Sequence, residues 1–346
     1  MNRTESAVAF LRAIRPTDGV VVVFNNDADG IASCVLVKKW LAQLGVEPYI
    51  IAQPMPPDKN LIRRIQTGLP SKIIFLDMAI DQHPAIVQKL KGVSEILIID
   101  HHIISHDMSK QGVAHYNPRF EDPQRYQSTS YCTYKLISKL MPLDEWLWVA
   151  TLGIVADYDT SHSQDLIKEA QKRWPMEIFS KIAAMIESVR VTKLMSCEQI
   201  VELINTSKSP EQLLETGDFR QAYEKIENEI AAVLLDAEAS AERANDILFY
   251  KIKSSYNIKS PVSTKLSEKW PDKLIVVYER IGKYVNASVR NQSKRMSVDK
   301  LLRLAARGIR GCSAGGHEAA GGAQMLEKDW PEFKQKLVAA VEHAKK

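Results

Sequence analysis

Four short aliphatic runs divide the first hundred residues: GVVVVFNN (19–26), PYIIAQ (48–53), SKIIFLDMAI (71–80) and EILIIDHHI (95–103). Continuous apolar stretches of this length, as opposed to alternating ones, belong to strands covered on both faces. Helical spacing fills the intervals, in GIASCVLVKKWLAQLG (30–45), DKNLIRRIQTG (58–68) and HPAIVQKLKG (83–92). This α/β alternation predicts a largely parallel sheet with helices on both faces. A helix over 5–15, with Thr4 as its cap, precedes the first strand. STSYCTYKLISKLM (128–141) and the more apolar LDEWLWVATLGIVADYD (143–159) follow as helices.

From Gln164 to Asn245 the chain turns all-helical. Within it, FRQAYEKIENEIAAVLLDAEASAERA (219–244) sets Tyr223, Ile226, Ile230, Val233 and Leu234 on one stripe, as in a long amphipathic connector. Beyond it, DILFYKIKS, DKLIVVYERIGKYVNASVR and GGAQM read as strands, and SVDKLLRLAARG and WPEFKQKLVAAVEHA as helices. A chain of 346 residues exceeds what one core supports. Three segments are expected: an α/β domain over 1–190, a helical connector over 191–245 and a smaller α/β domain over 246–346.

Charge separates the segments further. Residues 246–346 carry 20 Lys and Arg against 10 Asp and Glu, whereas residues 1–245 carry 26 against 32. A cationic third beside an acidic remainder suits a polyanion held by one part and processed by the other; a merely solvated basic surface gives the same count. Cys34, Cys132, Cys197 and Cys312 are scattered and form no CxxC, which argues against a disulfide framework or a thiolate zinc site. The charged N-terminal stretch and the lack of a membrane-length apolar run lead us to expect a soluble protein of a reducing, cytoplasmic compartment with no membrane partner.

The strand ends carry the chemistry. The first run ends on Asn25, Asp27 and Asp29, the third on Asp77, and the fourth on Asp100, His101 and His102. Carboxyl ends of parallel strands share one edge of the sheet, so these terminations are expected to converge there. Asp157, closing the apolar helix, could reach the same edge. Any one such carboxylate is most simply a helix cap. Five carboxylates with two imidazoles repel one another unless cations hold them, and oxygen-rich sites with some imidazole suit Mn²⁺.

NNDADG, FLD, IIDHH and VADYD, in that order, resemble the four signature motifs of the DHH phosphoesterases, and SAGGHEAAGGAQM (313–325) resembles the glycine-rich motif of the associated DHHA1 domain. The resemblance spans Asp27 to Gly322 and is similar in character to the compact, archaeal-type RecJ-like branch. It implies a DHH catalytic domain followed by a DHHA1 substrate-binding domain, and two Mn²⁺ ions, with Mg²⁺ as a possible substitute. Asp77 would bridge the ions. Asp29, His101 and Asp157 would complete one site and Asp27 would serve the other, with Asn25 standing where the family commonly has a His or Asp ligand. His102 would face the scissile phosphate and Asp100 would orient its neighbours. Arg290, Gly315, Gly316, His317, Ala320 and Gly321 would bind substrate phosphate. A tight turn with close helix packing is the competing reading of that Gly/Ala run.

The activity so implied is exonucleolytic digestion of single-stranded nucleic acid, 5′→3′ on DNA in repair or replication, with a helicase or similar protein as a plausible partner. A phosphodiesterase for short oligoribonucleotides or cyclic dinucleotides is the alternative. A catalytically quiet scaffold, akin to the replisome relatives of RecJ, is a third. Tyr126, Tyr131 and Tyr158 could stack a base or simply pack.

Overall fold

The computed structural model describes residues 2–293 and 296–344, so Lys294 and Arg295, counted above among the basic residues of 246–346, lie outside the described residues. The chain divides into two compact units, Met1–Tyr223 and Glu224–Lys346.

In the first unit α1 (Arg3–Arg12) leads into β1 (Val20–Phe24). There follow α2 (Ala28–Gln43), β2 (Tyr49–Ala52), α3 (Leu61–Thr67), β3 (Lys72–Leu76), α4 (Pro84–Lys91), β4 (Glu95–Ile99) and β5 (Ala114–Tyr116). The strands form one parallel sheet in the order β2-β1-β3-β4-β5. Every residue of β1 and β3 is buried, as the unbroken apolar runs require. Alternate side chains feed two cores. Val22, Phe24, Ile74, Leu76, Leu97 and Ile99 pack on one face with α1, α2 and the later helices. Val21, Val23, Ile73, Phe75 and Ile98 pack on the other with α3 and α4. The later helices are α5 (Thr129–Ile137), α6 (Leu147–Ala156), α7 (Gln164–Gln171), α8 (Glu177–Thr192), α9 (Cys197–Thr206) and α10 (Pro210–Glu215).

The outer strands are short and their outward backbone groups meet charged side chains. On β5 the His115 carbonyl accepts from Arg3 Nη1 at 3.4 Å, and Arg3 is itself held by Asp107 at 2.8 Å and stacked on Phe120. On β2 the Ala52 N–H donates to Glu198 Oε1 and its carbonyl accepts from Arg64 Nη2, both at 2.9 Å.

The division between units falls within α11 (Gly217–Ser240). Of the segment read as a connector, the part up to Tyr223 packs in the first unit through Ile200, Val201, Ile204, Leu213 and Phe219. In the second unit come β6 (Glu242–Ala244), β7 (Ile247–Lys251), α12 (Lys259–Lys269), β8 (Leu274–Ile281), β9 (Tyr284–Arg290), α13 (Val298–Ala306), β10 (Ser313–Gly316), β11 (Ala320–Leu326) and α14 (Trp330–His343). The sheet order is β10-β11-β9-β8-β7-β6, parallel between β7 and β8 and antiparallel elsewhere. One face packs on α13 and α14 through Phe249, Val276, Val289, Leu302, Met325 and Phe333.

Several boundaries differ from the sequence reading, each for a local reason. Asn2, not Thr4, caps α1, in a reciprocal capping box with Glu5. The helix expected from Gly30 begins at Ala28, because the Asp27 side chain accepts the Gly30 N–H at 3.0 Å and so serves as its N-cap. Strand β3 stops at Leu76, and Ile80–Gln82 form a 3₁₀ turn. Strands β5, β6 and β10 and helix α12 lacked a usable apolar pattern in the sequence.

Candidate metal centre and phosphate-binding groove

The residues of the centre are delivered by four parts of the chain: the end of β1 with the start of α2, and the ends of β3, β4 and α6. Asp77 follows β3 in a left-handed conformation, φ 59°, a strained backbone for a non-glycine residue that turns its carboxylate back across the strand ends. Its N–H donates to the Ile99 carbonyl at 3.0 Å, and Asp100 donates likewise to Tyr116 at 3.1 Å, so both acids are registered by neighbouring strands. Asp29 lies in the first turn of α2 and meets the N-terminus of α5. Its Oδ2 accepts from the Thr129 N–H at 2.7 Å and its Oδ1 from the Ser130 N–H at 3.0 Å. Asp157 caps the C-terminus of α6, with Oδ2 accepting from the Tyr126 hydroxyl at 2.7 Å.

These groups converge as the motif order implied. His101 Nε2 lies 3.3 Å from Asp77 Oδ1, and its Nδ1 lies 3.5 Å from Asp157 Oδ2. Asp77, His101 and His102 form one group of potential donors, and Asp29, His101 and Asp157 a second, with donor atoms in each group within 4.8 Å of one another. Asp77 Oδ1 also accepts from the Thr129 hydroxyl at 3.1 Å. Asn25 turns its amide nitrogen, not its oxygen, toward Asp27 and toward Asp77 Oδ2, at 3.4 Å from the latter, while its oxygen accepts the Asn26 N–H. Asn25 therefore donates between two carboxylates while its oxygen is taken by the Asn26 N–H.

Burial and crowding set the electrostatics. Asp29 is pushed up to about 7 by burial, with Asp27 adding to the rise and its two backbone donors opposing it. Asp157 rises to about 8 through burial and the nearby Asp29, and Asp77 rises well above the usual carboxylate range for the same kind of reason. Burial and the charge on His102 hold His101 down at about 4, leaving a neutral imidazole. Burial disfavours charge on His102 as well, but Asp100, 2.8 Å from its Nδ1, prevails and raises it to about 9. Asp100 is buried too, yet the bond and charge of His102 bring its pKa below the usual value.

The donor set fits a divalent cation. Buried carboxylates whose mutual repulsion raises their pKa values are stabilised by a cation among them. His101 Nδ1 is buried without a hydrogen-bond partner, and neutral imidazole nitrogen is a metal donor.

Several contributors escaped the sequence reading. Thr129 and Ser130 appeared only as the start of a helix, yet they orient Asp29 and Asp77. Gly153 sits inside an apolar helix with no local sign of its role; a Cβ there would collide with Ser130 Oγ and lie 2.6 Å from Asp29 Oδ1. Asp159, fully buried, accepts the Ser128 N–H at 2.7 Å and so anchors the start of α5. Tyr126 is half-buried and bonded to Asp157, and Tyr131 is half-buried with its hydroxyl 3.5 Å from Asp165. Tyr158, by contrast, is 87% exposed with φ 56°, directly after Asp157.

In the second unit Arg290, Gly315, Gly316, His317, Ala320 and Gly321 do come together, lining an open groove of about 320 Å³. Arg290 ends β9, with Nη2 donating to Ser260 Oγ at 2.9 Å. Part of the glycine run answers to packing. A Cβ on Gly321 would stand 2.5 Å from Leu302 Cδ1 on α13, and the Gly316 N–H is taken by Asp299 Oδ1 at 3.0 Å. Turn and packing thus constrain Gly316 and Gly321, although both line the groove together with Arg290, Gly315, His317 and Ala320.

Residues 19–173 match the DHH family N-terminal domain, and residues 247–345 match the DHHA1 domain. No curated protein gives a significant match to the chain. Among solved structures the chain is similar to RecJ from Thermus thermophilus in complex with Mn²⁺, with TM-score 0.76 and 19% identity over 98% of this chain and 55% of that one. It is also similar to an exonuclease RecJ bound to manganese, with TM-score 0.69 and 18% identity over 99% and 94%. A third similarity is to a DHH-domain protein described as a member of the s1p family of ribosomal proteins, with TM-score 0.75 and 18% identity over 98% and 90%. The chain spans little more than half the length of the Thermus protein, and at these identities the likeness is one of fold. Among the described residues no helix is long and apolar enough to cross a membrane. With both domain matches in the order of the motifs, over a sheet edge that gathers the motif acids, the chain belongs to the DHH family, with a DHHA1 domain following its N-terminal DHH domain.

Proposed function

We propose that the protein is an exonuclease that hydrolyses single-stranded nucleic acid with two divalent ions, manganese first and magnesium as a substitute, and that it degrades DNA 5′→3′ in repair or replication. The observation that carries this reading is the meeting of Asp29, Asp77, His101, His102 and Asp157 in two overlapping donor groups. Asp29, His101 and Asp157 would hold one ion, Asp77 would be shared, and Asp27 would serve the other. Bound divalent ions in such a centre acidify water and neutralise charge on the phosphoryl oxygens.

The chain's own residues do the rest. His102 has its Nδ1 fixed by Asp100, so Nε2 is the ring nitrogen left to meet substrate. Asp100 favours the protonated ring, and from Nε2 a protonated His102 can donate to a phosphate oxygen or to the departing oxygen. Asp100 keeps that imidazole charged and oriented. Tyr158, exposed beside Asp157, offers a face on which a base can stack, which favours a nucleotide substrate over a bare phosphate chain. Arg290 and the groove around Gly315 and His317 would take a phosphate of the substrate.

The test is hydrolysis with Mn²⁺ of single strands labelled at either end, as DNA and as RNA, alongside dinucleotides and cyclic dinucleotides. Stepwise loss from the 5′ end of long DNA strands is expected. Cleavage of dinucleotides alone would transfer the assignment to short oligonucleotides, and no hydrolysis of any substrate would leave the scaffold reading.

A further inference from the structure

The sheet of the second unit is covered unequally. One face is sealed by α13 and α14. On the other, α12 lies over β8 and β9, its Ser263 hydroxyl 2.9 Å from that of Ser288, and Tyr250 of β7 reaches Asp236 of α11 at 2.8 Å. Beyond that cover, a strip of β9 and β11 remains. Strand alternation puts Arg290, Asn286 and Tyr284 of β9 on this face, opposite Ala320, Gln324 and Leu326 of β11. Gly322 stands between Ala320 and Gln324 and adds no side chain. Gln324 and Gly322 are exposed in the whole chain, and Gln324 Nε2 donates to Asn286 Oδ1 at 2.7 Å.

The strip begins at the phosphate groove, where Arg290 pairs with Ala320, and runs to the β8–β9 turn, where Tyr284 is 38% exposed beside the exposed Lys283. Six residue steps separate its ends, about 20 Å. Its middle is a glycine and a pair of amides, and its ends are an arginine and a lysine with an adjacent aromatic ring. Apolar partners find only Ala320, Leu326 and the Tyr284 ring there to bury. An extended polyanion with bases finds cations at both ends, amide donors and acceptors between, and a stacking face at the far end. The surrounding residues 246–346 carry twice as many basic as acidic groups, the complementary sign.

We propose that this strip is a track for the part of a single-stranded nucleic acid that lies beyond the phosphate groove, with Gln324 and Asn286 bonding to bases or sugars and Tyr284 stacking a base several nucleotides from that groove. The inference rests on the exonuclease reading and deepens it: the protein should prefer strands long enough to reach Tyr284.

The experiment uses the full chain and oligothymidylates from two to twelve nucleotides, with Mn²⁺ for hydrolysis and fluorescence anisotropy at low turnover for binding. Two exposed substitutions, Gln324→Glu and Lys283→Glu, put negative charge on the track without altering the core. For wild type, affinity should rise with length up to several nucleotides and then level off. The double variant should bind the twelve-mer about tenfold more weakly, with a shallower salt dependence, and hydrolyse the dinucleotide unchanged. If wild type digests long strands and the variant binds them equally well, the track is wrong and the exonuclease reading stands. If wild type neither binds nor cuts long strands, both fall together.

Discussion

The two units handle polar groups in opposite ways. In the first, Asp29, Asp77, Asp100 and His101 are almost wholly buried, and each is held by backbone or side-chain partners from another element. In the second, Arg290, His317, Gln324 and Lys283 line an open groove and an uncovered sheet face. Bond cleavage requires donors fixed to fractions of an ångström, which only a packed interior enforces. Holding a long polyanion requires reach, charge and access. Buried, fixed polar groups therefore belong to the parallel sheet and open, basic ones to the mixed sheet.

That contrast predicts different failures. Asp77→Ala or His101→Ala should lower kcat by on the order of a thousandfold or more while leaving strand binding nearly intact, read by single-turnover hydrolysis beside anisotropy. Equal loss of both would erase the distinction between the units. Gly153→Ala tests whether the burial is as tight as it looks. The methyl has no room beside Asp29, so kcat should fall roughly a hundredfold, and stability by about 1–3 kcal/mol in urea titration. In the second unit Arg290→Ala should raise KM about tenfold with kcat largely kept, the reverse pattern. Tyr158→Ala should cost about fivefold in kcat/KM on strands, with Tyr158→Phe restoring it, since a stacked ring needs no hydroxyl.

The smallest effect is one of pH. Without metal, Asp29 (about 7), Asp157 (about 8) and His102 (about 9) all have native pKa values above their ordinary ones. The native state then binds more protons than the unfolded chain between roughly pH 6.5 and 8, so stability falls as pH rises through that window. A Tm decline of about a few degrees is expected in chelator, with Mn²⁺ abolishing it. An unchanged Tm in chelator would mean that the acids are less crowded than their positions imply. No such trend is expected from the second unit's groove, which has no comparable cluster among the described residues.

Much of the first unit was legible because its signal is local. Fully apolar runs ending in acids name both the parallel strands and the edge where Asp77, Asp100 and His101 gather. The partners of those acids were not legible, since Thr129 and Ser130 meet Asp29 across about a hundred residues of sequence. Gly153 had the same obscurity: a lone glycine in an apolar helix gives no hint of which carboxylate it makes room for. Asn25 drew notice by its type, but its hydrogen-bond sense depends on Asp27 and Asp77 facing it. In the second unit the glycines were noticed, yet whether a given one serves a ligand or a helix depends on where α13 packs, as Gly321 against Leu302 shows.

The brief outer strands of the parallel sheet have a consequence for assembly. Another polypeptide joining that sheet as an added strand would have to displace Arg3 from His115 at one margin, or Glu198 and Arg64 from Ala52 at the other, and would find only three or four residues to pair with. A protein that docks on this unit must therefore recognise side chains on its helices and loops, and its specificity will be written in shape and charge and not in backbone pairing.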